Sequence, residues 1–176
     1  MVLKKSRQIG KKKTNKNNSH SFSSKDFKSK DVSIKGYHEI IIIVILLLLD
    51  RLTKIWAMKL ISPIDYGFLE FVYVVNTGAA FSILENTNWL FIIIASLAVI
   101  AMIYYRKYIP RFSLIAILSG TLGNLIDRIF HKGVIDFINF KFFPIFNLAD
   151  TLISIGVAYW IVQLIREEIN SKKSDK

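Results

Sequence analysis

Four long apolar segments, separated by shorter polar ones, dominate the chain after residue 37. Each is close to the roughly 20 residues that an α-helix needs to cross the hydrocarbon core of a membrane. Two of the segments, which contain IIIIVILLLL and LFIIIASLAVIAMI, have no polar face at helical spacing, and this disfavours the buried helices of a soluble protein. The pattern predicts four transmembrane helices, over about residues 38–60, 88–105, 112–130 and 145–165.

The segment between the first two predicted helices has a different pattern. Residues 68–75, FLEFVYVV, are rich in aromatic and β-branched side chains, and they are followed by the turn-forming sequence Asn76-Thr77-Gly78. This composition predicts a β-strand that enters a turn. A small sheet is therefore expected beside the helices.

The basic residues orient the predicted helices. Of a formal net charge of +11, residues 1–37 carry eleven Lys or Arg and two Asp, which is +9. Further basic residues lie at 106–111 and from Arg166 onward. Because Lys and Arg favour the cytoplasmic side, both termini are expected in the cytoplasm, with residues 61–87 and 131–144 facing outward. The predicted fold is all-α transmembrane, a four-helix membrane bundle with a small extracytoplasmic β element.

Composition divides the chain into three parts. Residues 1–37 are rich in Lys, Ser and Asn, which predicts a disordered basic cytoplasmic tail; a nucleic-acid-binding arm is the less favoured alternative. Residues 38–166 form the predicted four-span membrane domain, and residues 167–176 a cytoplasmic C-terminal tail. The chain has no cysteine, which excludes disulfides and thiol catalysis, and its three histidines do not cluster as metal ligands would.

Polar residues in the predicted helices fall at one depth. With a rise of about 1.5 Å per residue, they all lie in the outer third of a hydrocarbon core about 30 Å thick. Asp136, just after the third helix, can reach the same layer, whereas His131 is expected to be a solvated loop residue. Charges in a membrane are costly unless they share a cavity, so the residues of this layer are expected to converge. They are Asp50, Lys54, Asn124, Asp127 and Asp150.

The spacing of these residues suggests two kinds of role. Asp50 and Lys54 are four apart on a helix and are expected to pair, and Asp127 is expected to find a partner on a neighbouring segment. Asp136 and Asp150 have no basic neighbour in sequence, although Arg128 is a possible one in space.

Two unpaired carboxyl groups in a pocket of low polarity tend to share one proton, which supplies an acid and a base at the same pH. This arrangement suits an aspartic peptidase, but it equally suits the proton relay of a small transporter. A non-catalytic membrane assembly factor is a third possibility. The spacing alone leaves all three open.

Five sequence blocks, in this order, are similar to those of lipoprotein signal peptidase, also called signal peptidase II, an integral-membrane aspartic peptidase family of bacteria. The resemblance covers roughly residues 39–165 and leaves out only the tails. The blocks are DRLTK at 50–54, NTGAAFS at 76–82, GTLGNLIDR at 120–128, GVIDF at 133–137 and FNLAD at 146–150.

The resemblance implies a site and an activity. Asp136 and Asp150 would be the catalytic aspartates of an enzyme that cuts prolipoproteins before a diacylglyceryl-modified cysteine, in the bacterial inner membrane near its outer face. No metal or organic cofactor is expected, membrane lipid is an expected partner, globomycin is the expected inhibitor, and the chain is expected to be a monomer. The predicted substrate-binding residues are Asn76, Gly78, Asn124, Arg128 and Asn147, and the predicted supporting polar residues are Asp50, Lys54 and Asp127.

Overall fold

In the computed structural model, the described residues are 37–78 and 87–174. Part of the NTGAAFS block and the predicted basic tail, apart from Tyr37, lie outside them. The described chain is mostly helical, with four α-helices, one short 3-10 turn at Arg106–Tyr108 and three strands. In chain order the elements are α1 (Tyr37–Met58), β1 (Ile64–Asp65), β2 (Glu70–Asn76), α2 (Asn88–Tyr104), α3 (Arg111–His131), β3 (Val134–Asn139) and α4 (Leu148–Ser174).

The helix α3 lies against each of the other three helices. Small residues allow its close approach to α4, as is common between membrane helices. A Cβ atom at Gly120 would collide with the carbonyl oxygen of Ala149, and one at Gly156 would lie 2.7 Å from Cγ1 of Ile117. Gly120 therefore has a packing role, and α3 is the element on which the other helices converge.

Two helices, α3 and α4, are long and apolar enough to cross a membrane, and α2 is a shorter apolar helix. In α1 the apolar residues are interrupted by Asp50, Arg51 and Lys54. Four helices and a small sheet confirm the coarse form of the predicted fold. Passage of all four helices through a membrane stays a prediction.

The sheet is antiparallel, in the order β1-β2-β3. The predicted strand is confirmed as β2, whereas β3 was not predicted from its sequence. In the pairing of β2 with β3, Val74 lies opposite Asp136 and Asn76 opposite Val134. This register places Asp136 beside Asn76, which is distant in sequence.

The limits of the last helix differ from the prediction at both ends. Phe146 pairs with Ile138 of β3 instead of joining the helix, so α4 begins at Leu148 rather than near residue 145. At the other end α4 continues through residues 166–174, because Arg, Glu and Lys are good helix formers.

The predicted loop position of His131 is also corrected, because His131 is the last residue of α3 rather than part of a loop.

We expect the substitution Gly120→Ala to destabilise the protein by about 1–3 kcal/mol, because overpacking forces helices apart. The measurement is the thermal midpoint of unfolding in detergent. Ala101→Val, which adds carbon to an exposed position of α2, is the matched control and is expected to leave the midpoint unchanged. Equal effects of the two substitutions would contradict the close α3–α4 contact.

Candidate active site

The first turn of α4 brings Asn147 and Asp150 together. The backbone N–H of Asp150 donates to Oδ1 of Asn147 at 2.9 Å, and the backbone N–H of Asn147 donates to Oδ2 of Asp150 at 3.1 Å. This reciprocal pair is a capping box, which satisfies N–H groups that a helix start leaves without partners. Asp150 is thus held rigidly at the positive end of a helix, where a carboxylate is favourable.

Asp136 lies on β3 and is only 3% exposed. Its two carboxyl oxygens accept hydrogen bonds from two different segments of the chain. Asn76 on β2 donates to Oδ2 at 3.0 Å, and the side chain of Asn147 donates to Oδ1 at 2.7 Å. The orientation of the carboxyl group is therefore set on both sides.

Two asparagine side chains join Asp136 to Asp150. Asn147 contacts both, since its amide donates to Asp136 and its Oδ1 accepts from the backbone of Asp150. Asn124 donates to Oδ1 of Asp150 at 2.7 Å and accepts from Asn147 at 3.1 Å. The two carboxyl groups are consequently parts of one continuous hydrogen-bond network.

Burial raises the pKa of Asp136 to about 6, an increase to which the charge of nearby Asp150 also contributes. Hydrogen bonds from Asn76 and Asn147 oppose this effect because they favour the ionised form. A carboxyl group with this pKa exchanges its proton near neutral pH, as acid–base catalysis requires.

A buried ionic cluster lies behind the aspartates. Lys54 is 1% exposed, and its Nζ lies 2.9 Å from Oδ2 of Asp50 and 2.6 Å from Oδ2 of Asp127. The predicted pairing of Asp50 with Lys54 is confirmed, and so is the partner of Asp127 on a neighbouring segment. Asp50 also accepts from the backbone N–H of Ala149 at 3.2 Å, which connects the cluster to the start of α4.

The third donor of Lys54 determines the orientation of Asn124. Nζ donates to Oδ1 of Asn124 at 3.1 Å. Because an ammonium group only donates, the amide oxygen of Asn124 must face Lys54, and its NH₂ must face Asp150. The buried cation thus arranges the hydrogen bond that Asp150 receives.

Arg51 completes the cluster, although no role for it was predicted from the sequence. Its Nη2 lies 2.6 Å from Oδ1 of Asp127 and 3.1 Å from Oδ2 of Asp50, and it donates to the carbonyl of Gly123 at 3.2 Å. With Arg51, the two buried carboxylates face two cations. An arginine inside an apolar run is the signal that would have identified it.

The remaining predicted residues lie at the edge of this network. Arg128 donates to the carbonyl of Asn124 at 3.5 Å, and its charge acts on both Asp136 and Asp150. The N–H of Gly78 donates to Oδ1 of Asn76 at 3.2 Å. His131 Nδ1 is 3.7 Å from Oδ1 of Asp127, outside hydrogen-bond distance.

The described residues therefore bring together the predicted polar side chains, with the carboxyl pair at their centre. Within residues 37–78 and 87–174, no three His, Cys, Asp or Glu side chains are grouped as they would be to hold a metal ion. Two carboxyl groups that share a network can supply a base and an acid for hydrolysis without changing their positions.

Comparisons with known proteins identify the same region. The family profile described as "Signal peptidase (SPase) II" matches residues 42–166. A "Lipoprotein signal peptidase" from Clostridium tetani is 41% identical over 146 residues, which are 74% of this chain and 94% of that protein. Another, from Clostridioides difficile, is 37% identical over 145 residues, 76% of this chain and 98% of the relative.

Solved structures show the same relationship. A "bacterial membrane enzyme structure" determined by the in meso method at 2.3 Å resolution superposes with a TM-score of 0.69 at 30% identity, and the match covers 76% of this chain and 91% of the other. A second such structure, at 1.9 Å, gives a TM-score of 0.66 at the same identity, over 73% and 92% of the two chains.

We expect Lys54→Met to destabilise the protein by about 3–5 kcal/mol, because it leaves buried carboxylates without a compensating charge. The double substitution Lys54→Met/Asp127→Asn restores the charge balance with Asp50 and Arg51. It should therefore be more stable than the single variant, as measured by thermal unfolding in detergent. Additive destabilisation by the two substitutions would contradict this.

We also expect a pH effect on stability from Asp136. Its pKa is 3.8 in the unfolded chain and about 6 in the folded protein, so the folded state binds the proton more tightly. Stability therefore falls as the pH rises from about 4 to about 6, by at most about 3 kcal/mol. The measurement is the free energy of unfolding against pH, in which Asp136→Asn should remove this slope.

Asp65 supplies the control for this experiment. It is exposed, and its hydrogen bond from Lys141 lowers its pKa. Its contribution to stability is lost as the pH falls, so Asp65→Asn changes the pH dependence in the opposite sense. Parallel curves for the natural chain and Asp136→Asn would show that the burial of Asp136 does not perturb its titration.

Proposed function

The chain belongs to the signal peptidase II family, and on that premise we propose that it removes signal peptides from prolipoproteins with Asp136 and Asp150 as its catalytic pair. Members of this family are membrane-bound aspartic peptidases. One observation carries the assignment of the two residues: Asn147 bonds both carboxyl groups, at 2.7 Å to Asp136 and through the capping box to Asp150.

The pair acts on a water molecule held between the two carboxyl groups. The ionised aspartate takes a proton from the water as its oxygen attacks the carbonyl carbon of the scissile peptide bond. The protonated aspartate then gives its proton to the amide nitrogen as the C–N bond breaks. One proton shared by the pair is sufficient for both steps.

The depth of the site supports a lipid-modified substrate. Asp50 and Lys54 lie near the end of α1, Asp127 near the end of α3, and Asp150 at the start of α4. All are therefore at one end of the helices, beside the sheet. With both termini in the cytoplasm, this end faces outward, near the leaflet that holds the acyl chains of a diacylglyceryl-cysteine. In the proposed reaction, the peptide bond just before that cysteine is cleaved.

The asparagines and Arg128 have different parts in this proposal. Asn124, Asn147 and Asn76 donate hydrogen bonds to the carboxyl groups, so they hold the catalytic pair in position. Their second role in this proposal is to bind the substrate backbone. The guanidinium group of Arg128 makes a single hydrogen bond in the described part of the chain, to a backbone carbonyl. Its other donors are available for the substrate backbone, which the turn at Gly78 is proposed to cover.

The proposal extends to inhibition and to competing functions. Globomycin should occupy the same site and block cleavage by a monomeric enzyme. A proton-coupled transporter, the alternative that the spacing allowed, has no support from the family match. Proton flux through liposomes containing the protein, without peptide cleavage, would reverse this choice.

We expect Asp136→Asn and Asp150→Asn each to reduce cleavage of a diacylglyceryl-modified prolipoprotein by at least about 10³-fold, because each removes one of two proton-transfer groups. The measurement is the gel shift of the purified precursor, with the enzyme in detergent. Asp65→Asn, at an exposed carboxylate of the sheet, should retain full activity. Residual cleavage near the natural rate in either variant of the pair would refute the assignment.

A further inference from the structure

The guanidinium group of Arg128 is weakly held by hydrogen bonds. Its Nη1 donates to the carbonyl of Asn124 at 3.5 Å, which is at the long limit for such a bond. That contact lies within one helical turn and leaves a long side chain with considerable rotational freedom. A further contact is needed to hold the group near Asp136 and Asp150, on which its charge acts.

The first turn of α2 supplies this contact. The centre of the Phe91 ring lies 5.2 Å from Cζ of Arg128. A guanidinium over an aromatic face at this distance is attracted by the ring quadrupole, and the attraction is stronger where water is excluded. Both side chains are half-buried, so the ring restricts the motion of the guanidinium.

Asn88 connects the same two helices through the backbone of Arg128. The side chain of Asn88 donates to the Arg128 carbonyl at 2.8 Å. This carbonyl is among the last four of α3, which lack partners within the helix. Asn88 thus links the start of α2 to the end of α3 at the residue whose side chain Phe91 contacts.

We propose that Phe91 and Asn88 are positioning residues, which hold Arg128 in the orientation that binds the substrate backbone beside Asp136 and Asp150. Neither residue belongs to the sequence blocks described above. Their effect on cleavage rests on the proposed function, whereas the contact with Arg128 does not.

The first test is kinetic. In the full-length enzyme, Phe91→Leu should lower kcat/KM for a diacylglyceryl-modified prolipoprotein peptide about tenfold, because it removes the ring but keeps an apolar side chain. Phe91→Tyr keeps the ring and should stay within about twofold of the natural value. Asn88→Asp, which replaces the donor by an acceptor, should reduce kcat/KM in the same direction as Phe91→Leu.

A control and a background variant separate positioning from general damage. Trp89→Leu removes an aromatic ring from an exposed position of the same helical turn and should change kcat/KM by less than about twofold. In an Arg128→Gln background, Phe91→Leu should add less than about twofold, because the group that it positions is absent. A tenfold loss in that background, or an equal loss for Trp89→Leu, would overturn the proposal.

A spectroscopic measurement tests the contact without cleavage. In protein labelled with ¹⁵N-arginine, the ring current of Phe91 should shift the Arg128 Nε–H signal, identified by its loss in Arg128→Lys. Phe91→Leu should remove this shift, and Phe91→Tyr should retain it. If the Arg128 signal does not change in Phe91→Leu, the positioning role is overturned. If the natural chain shows the shift but cleaves no prolipoprotein, the proposed function is overturned instead.

Discussion

The ammonium group of Lys54 is buried, and its three donors are directed at Asp50, Asp127 and Asn124. A buried cation is costly unless its charge and all its donors are satisfied. Here its partners come from α1 and α3, so the cost is offset only when these two helices pack in one arrangement. The same group fixes the amide of Asn124 and, through it, the environment of Asp150. Packing of the helices and preparation of the site therefore depend on one interaction.

The start of α4 connects this cluster to the chemistry. Asp50 accepts from the N–H of Ala149, and Asn147 and Asp150 cap each other. Groups that satisfy the end of a helix are thus the same groups that hold the proposed catalytic pair. As a result, each carboxyl oxygen of Asp136 and Asp150 accepts a hydrogen bond. These bonds hold the polar groups of the site in fixed positions although the site lies among apolar helices. Preorganised groups of this kind lower the cost of reaching a transition state.

The sheet contributes the second half of the site. Pairing of β2 with β3 places Asp136 beside Asn76, and Gly133 allows the turn before β3 to lie against the backbone of β2, since a Cβ there would be 2.9 Å from the carbonyl oxygen of Asn76. The helices carry Asp150, and the sheet carries Asp136. A small shift between them would separate the pair, and Asn147, which bonds both aspartates, resists that shift.

Much of this molecule follows from its sequence alone. The apolar runs determined the four helices, and the segment FLEFVYVV determined the strand β2. The four-residue spacing determined the Asp50–Lys54 pair. These features could be predicted because each depends on residues that are neighbours along the chain. The cost of charge in an apolar segment also singled out the polar residues that the structure brings together. Only the tertiary structure decided the strand β3, the contacts of Arg51 with Asp127 and the link that Asn147 makes between Asp136 and Asp150. These contacts join segments distant in sequence, and their geometry is set by helix packing and strand register, which no local pattern encodes.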